Sequence, residues 1–114
     1  MIKRTILFIL IVLIIVFLIV LTNTRISTAS YSVALQNLGS SVRVILLSDL
    51  HGKSFGRENS RLIAKIQEQS PDAIFLDGDM IDRSADPTDV QELLRLIKRL
   101  HEIAPVYFAP GNHE

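Results

Sequence analysis

The chain of 114 residues has no cysteine, which excludes disulfides and cysteine-ligated zinc and is compatible with export. Its 12 Lys and Arg balance 12 Asp and Glu, so no excess of positive charge invites nucleic acid. Neither a Gly-x-Gly-x-x-Gly run nor a P-loop follows the first predicted strand, which sets a nucleotide-binding α/β domain aside. Internal repeats are absent beyond a strand–helix alternation. What is present is one long apolar run and three short ones that each stop in polar, metal-ligating side chains.

The long run, residues 6–21, holds 16 Ile, Leu, Val and Phe residues without interruption, and Thr5 and Thr22 extend it to 18. A helix of that length spans about 27 Å, close to the roughly 30 Å hydrocarbon core of a bilayer. It exceeds the usual apolar core of a signal peptide, so residues 1–22 read as an uncleaved membrane anchor, with a long signal peptide as the alternative. Lys3 and Arg4 precede the run and only Arg25 follows it closely, which places the N-terminus in the cytoplasm and the remainder outside it. Residues 23–30 are polar and read as a linker, leaving residues 31–114 as the folded part.

The three short runs share one construction. Ala73-Ile74-Phe75-Leu76 stops in Asp77-Gly78-Asp79 and then Asp82-Arg83, three carboxylates and an arginine within seven residues. Val42 to Leu47 runs into Ser48-Asp49-Leu50-His51-Gly52, and Val106-Tyr107-Phe108-Ala109 runs into Pro110-Gly111-Asn112-His113-Glu114. Each run has strand length and strand composition, and carboxylates gather in this way when they are paired or bind a metal. Ligands of open α/β sheets bind outside the carboxyl ends of the strands. Three neighbouring parallel strands would therefore bring Asp49, His51, Asp79 and Asn112 to one edge, with Asp79 at the centre of a metal site.

The intervening stretches supply helices. Residues 58–69 place Leu62, Ile63 and Ile66 on one side, and Ser70-Pro71 ends that helix. A second helix follows Asp86 or Thr88 as cap, with Pro87 suited to its first turn and Thr88–Gln91 as a capping box. Its predicted apolar stripe is Val90, Leu93, Leu94, Ile97, Leu100 and Ile103. Residues 31–35 alternate and predict an edge strand, while residues 42–48 are apolar enough for a strand covered on both faces. The fold class is α/β, a βαβαβ unit preceded by one transmembrane helix.

Asp49-x-His51, Gly78-Asp79-x-x-Asp82-Arg83 and Gly111-Asn112-His113-Glu114, in that order and each at a strand end, resemble the calcineurin-like metallophosphoesterase superfamily. With the anchor, the chain is similar to membrane-bound bacterial phosphoesterases of the type that includes UDP-diacylglucosamine hydrolases. The resemblance covers about residues 42–114 and implies the N-terminal half of an α/β sandwich. It further implies that Asp49 and His51 hold a first metal, that Asp79 bridges two metals and that Asn112 binds the second. His113 would stabilise or protonate the leaving oxygen with Asp82 hydrogen-bonded behind it, and Arg83 would help to bind the phosphate.

Ligands of these types suit two divalent ions, Mn, Fe or Zn. A water or hydroxide shared by two cations attacks phosphorus near neutral pH, so no cysteine or serine nucleophile is needed. Family members carry further histidine ligands downstream, and His101 reads as a surface residue rather than a substitute. The expectation is therefore a partial domain that by itself binds metal weakly and turns over little. Asp77 and Glu114 read as residues outside the ligand set, Asp86 and Asp89 as helix-capping groups, and Lys53 and Arg57 as loop charges. The expected partner is a phosphoester, lipid-linked or envelope-derived if the anchor brings it within reach. A non-catalytic anchored module that binds metal or phosphate is the alternative.

Overall fold

A computed structural model describes residues 2–23 and 25–112. The chain divides into two units, residues 1–32 and 33–114. The first contains α1, Ile2–Asn23, about 33 Å long at the usual helical rise. Its segment Ile2–Leu21 is long and apolar enough to cross a membrane, with a mean hydropathy of 3.3. A signal sequence meets the same criteria.

The second unit is a three-stranded parallel sheet in the order β1-β2-β3, with β1 at Val44–Leu47, β2 at Ala73–Asp77 and β3 at Val106–Ala109. Leu46 lies opposite Phe75, and Phe75 opposite Tyr107. A short 3-10 turn, Arg57–Asn59, and α2, Ser60–Glu68, connect β1 to β2, while α3, Pro87–His101, connects β2 to β3. Crossovers of one hand between sequential neighbours put both helices over the same sheet face. The core sits there, built from Leu62, Ile63 and Ile66 of α2, Ile74 and Leu76 of β2, Leu96 and Leu100 of α3, and Ala104.

The opposite face corrects the expectation of a strand covered on both sides. Val44, Leu46, Phe75 and Tyr107 are exposed, Leu46 by 62%, because both crossovers run over the other face. Phe75 and Tyr107 stack there with ring centroids 5.0 Å apart, the offset arrangement aromatic pairs favour.

Other differences are local. Residues 31–35 form no strand: alternation marks a strand only when a neighbour takes its hydrogen bonds, and Tyr31 and Val33 stay exposed. The first connecting helix begins at Ser60 rather than residue 58, since Glu58 and Asn59 adopt left-handed angles, φ 53° and 57°. Asn59 is buried and its Oδ1 accepts the Phe55 N–H at 2.9 Å, an arrangement open to a side chain that tolerates those angles. On α3, Leu96 is buried and Leu94 exposed, so the apolar face is turned from the predicted stripe toward the row of Leu93, Leu96 and Leu100.

The cap of α3 is Asp86, and its partner in the capping box is Asp89 rather than the Thr88–Gln91 pair. Asp86 precedes a proline and is therefore held extended, φ −90° and ψ 172°, which is the geometry a cap needs. Its carboxylate accepts from Thr88 N at 2.6 Å and Asp89 N at 3.1 Å, and Asp89 Oδ2 accepts Asp86 N at 2.9 Å. The backbone N–H of Asp89, then that of Thr88, stabilise the charged form and hold the Asp86 carboxyl below its ordinary value of 3.8. A lowered carboxyl contributes stability that is present above the ordinary value and is lost as pH falls through the folded value. Asp86→Ala should therefore lower the melting temperature at pH 7 by more than at pH 3. Equal deficits at both would remove charge from the account of this cap.

Candidate metal centre

The site is made by three loops that continue the sheet beyond its strands. Asp49 N–H donates to Gly78 O at 3.2 Å, His51 N–H to Asp79 O at 3.0 Å and Gly52 N–H to Met80 O at 2.9 Å. On the other side Gly78 N–H donates to Ala109 O at 2.9 Å. These bonds tie the loop after β1 to the loop after β2, and that loop to β3. Leu50 and Met80 are buried beneath them, so apolar anchors alternate with the polar residues that line the edge.

A second device closes the gap between the loops after β2 and β3. Gly78 sits at φ +71°, and a Cβ placed on it would lie 3.0 Å from Gly111 Cα and 3.3 Å from Gly111 N. The loops touch backbone to backbone because both positions lack a side chain. That contact sets Asp79 beside Asn112.

Asp49, His51 and Asp79 each offer a ligand atom, all within 4.8 Å of one another. They are the one such group among the described residues. His51 Nε2 lies 3.8 Å from Asp49 Oδ1, and two donors on one ion at ordinary bond lengths stand about 3–3.5 Å apart, so a small closure completes the pair. Asp49, His51 and Asp79 also share an unusual backbone, with φ of 54°, 49° and 51°. Left-handed angles cost on the order of 1–3 kcal/mol each in non-glycine residues and gather at functional sites.

The Asn112 amide lies against Asp79, its facing atom 3.0 Å from Oδ1 and 3.2 Å from Oδ2. With the nitrogen turned inward it donates to the carboxylate, whereas with the oxygen inward two acceptors face each other. The second arrangement needs a cation between them, and the amide can adopt either. A set of carboxylate, imidazole and amide donors fits a divalent transition ion. The residues present therefore fit a metal, which Asp49, His51 and Asp79, with Asn112 beside them, could hold.

The structure gives Asp82 and Arg83 contacts that the sequence did not indicate. Asp82 Oδ1 lies 2.7 Å from His51 Nδ1, whereas the expected partner, His113, falls with Glu114 outside the described residues. Arg83 Nη2 donates to the Asn112 carbonyl at 3.4 Å, so it links the loops after β2 and β3 as well as placing a cation at the edge. His101 is exposed at the end of α3, away from the sheet edge. The signal for the Asp82–His51 bond was in the sequence only as the presence of both residues; the pairing depends on how the two loops register.

A parallel sheet with this donor set at its carboxyl edge defines an α/β metalloprotein. Residues 42–114 match the family model of the calcineurin-like phosphoesterases, and the chain belongs to that family. It is also similar to an uncharacterized metallophosphoesterase of Campylobacter jejuni, 33% identical over 88 residues that cover 75% of this chain and 23% of the relative. The chain thus spans about a quarter of the length of that relative. No solved structure matches it significantly.

Proposed function

We propose that the protein is a metal-dependent phosphoester hydrolase acting on monoesters or diesters through two divalent ions, and that α1 anchors it in a membrane. The observation that carries this reading is the convergence of Asp49, His51 and Asp79 within 4.8 Å at the sheet edge, with Asn112 against Asp79. Divalent ions bound there would polarise phosphoryl oxygens and acidify water. Asp79, central in the cluster, is the residue suited to serve both ions. Arg83 supplies positive charge to orient the phosphate, by the guanidinium–phosphate match. His113, one residue beyond Asn112, would deliver a proton to the leaving oxygen. The Lys3 and Arg4 pair at the start of α1, before its apolar run, supports a cytoplasmic N-terminus with the phosphoesterase outside, where lipid-linked or envelope phosphoesters are the accessible class.

The test is hydrolysis of p-nitrophenyl phosphate and bis-p-nitrophenyl phosphate by the protein as its native reading frame encodes it. Turnover should be saturable, abolished by a chelator, restored by Mn²⁺ and recovered in the membrane fraction. Metal binding without hydrolysis of either ester would replace the enzyme with a metal-binding module, and absence of metal binding would remove the metal centre altogether.

A further inference from the structure

We propose that Asp82 is the positioning residue of the metal centre, accepting the Nδ1–H of His51 so that Nε2 is the lone-pair nitrogen turned toward Asp49 and Asp79. The inference rests on the metal-centre reading above and assigns one of its residues a place that the motif alone does not. Asp82 Oδ1 lies 2.7 Å from Nδ1, and Nε2 faces Asp49 Oδ1 at 3.8 Å. A neutral imidazole has one donor and one acceptor nitrogen. A carboxylate fixed on Nδ1 therefore makes that nitrogen the donor and leaves Nε2 to ligate, the arrangement that raises the basicity of metal-bound histidines.

Both ends of His51 are then held by the loop after β2. The backbone N–H of His51 is bonded to Asp79 O at 3.0 Å, and its ring to Asp82, three residues further on. Asp82 is itself restrained, for its carbonyl accepts Ala85 N–H at 2.9 Å and the loop before it is pinned by the buried Met80. His51 sits at φ 49°, an angle that histidine alone does not prefer, so ring and backbone are both placed by partners rather than by intrinsic preference.

The test compares wild type with Asp82→Ala and Asp82→Asn in two measurements. Imidazole ¹⁵N chemical shifts of the metal-free protein report which nitrogen of His51 carries the proton, and calorimetric titration with Mn²⁺ and with Zn²⁺ reports affinity. Wild type should show the Nδ1–H form. Asp82→Ala should lose that preference and bind metal roughly 10–100-fold more weakly, the range for loss of an outer partner of a ligand. Asp82→Asn keeps an oxygen that can accept from Nδ1 and should retain the tautomer with a smaller loss. A metal-free melting temperature in Asp82→Ala close to wild type separates these effects from misfolding, and Asp82→Asn provides the comparison if the alanine variant is unstable.

An unchanged tautomer and unchanged metal affinity in Asp82→Ala, with turnover reduced, would assign Asp82 to the reaction instead and overturn the proposal. Wild-type protein that binds metal while Asp82→Ala binds equally well defeats this inference alone. Wild-type protein that binds neither ion defeats the metal centre and this inference with it.

Discussion

Asp79→Asn should all but abolish metal binding while leaving the metal-free fold intact. The replacement keeps the shape of the side chain and tolerates the left-handed angle at this position, φ 51°. It also places an amide opposite Asn112, so the facing pair has donors as well as acceptors. What disappears is the central charge of the cluster. Affinity for Mn²⁺ should fall by more than the roughly 10–100-fold that loss of an outer partner causes. At Mn²⁺ a hundred times the wild-type Kd, wild type gains about 2.7 kcal/mol of stability by mass action, and the variant gains almost none. Thermal melts with and without Mn²⁺ measure both halves; a variant that keeps the Mn²⁺-dependent shift would show that Asp79 is not a ligand.

Gly78→Ala destabilises the metal-free protein by roughly 2–5 kcal/mol, the sum of the left-handed cost and an enforced backbone shift. Both causes are visible: φ is +71°, and the added methyl would stand 3.0 Å from Gly111 Cα, a main-chain atom with no rotamer to yield. Gly52→Ala separates them. Gly52 has a similar angle, φ +68°, with nothing within 4 Å of its Cβ position, so it carries the conformational cost alone, about 1–2 kcal/mol. Urea unfolding of the two variants reads the difference. Equal losses would mean that the contact between the loops after β2 and β3 contributes nothing.

The parts of the fold that a run of apolar residues specifies were legible. β3 falls where Val106 to Ala109 predicts it, β2 begins with the apolar run at Ala73 and extends one residue past it to Asp77, and α3 starts at Pro87 after the Asp86 cap. Composition and spacing carry that information because strand and helix each have one period. Features that depend on a partner from elsewhere in the chain were not legible. Residues 31–35 alternate like a strand yet pair with nothing regular, and the open face with Leu46, Phe75 and Tyr107 follows from both crossovers taking the same side.

The candidate site divides in the same way. Asp49, His51, Asp79 and Asn112 could be named because each ends an apolar run. The left-handed angles of Asp49, His51 and Asp79 could not, since nothing in the motifs marks them. Nor could the contact of Asp82 with His51. The two residues lie far apart along the chain, and their meeting depends on the lateral fit of two loops. The capping pair shows the same limit at short range: Thr88–Gln91 matched the pattern, but Pro87 extends Asp86 and gives it the cap.

The hydrogen bonds that run on from the strands into the ligand loops make the spacing of the donors a quantised quantity. Asp49, His51 and Asp79 are set by the same ladder that pairs Val44 with Ala73 and Leu47 with Leu76. Slipping β1 against β2 by a single residue would displace one set of donors by about 3.3 Å and invert which side chains face the core. No small adjustment bridges that step. Length changes inside β1 or β2 are therefore incompatible with the site, whereas insertions near Ser54, beyond the last ladder bond at Gly52, leave it whole. The geometry permits variation in the connections and forbids it in the strands.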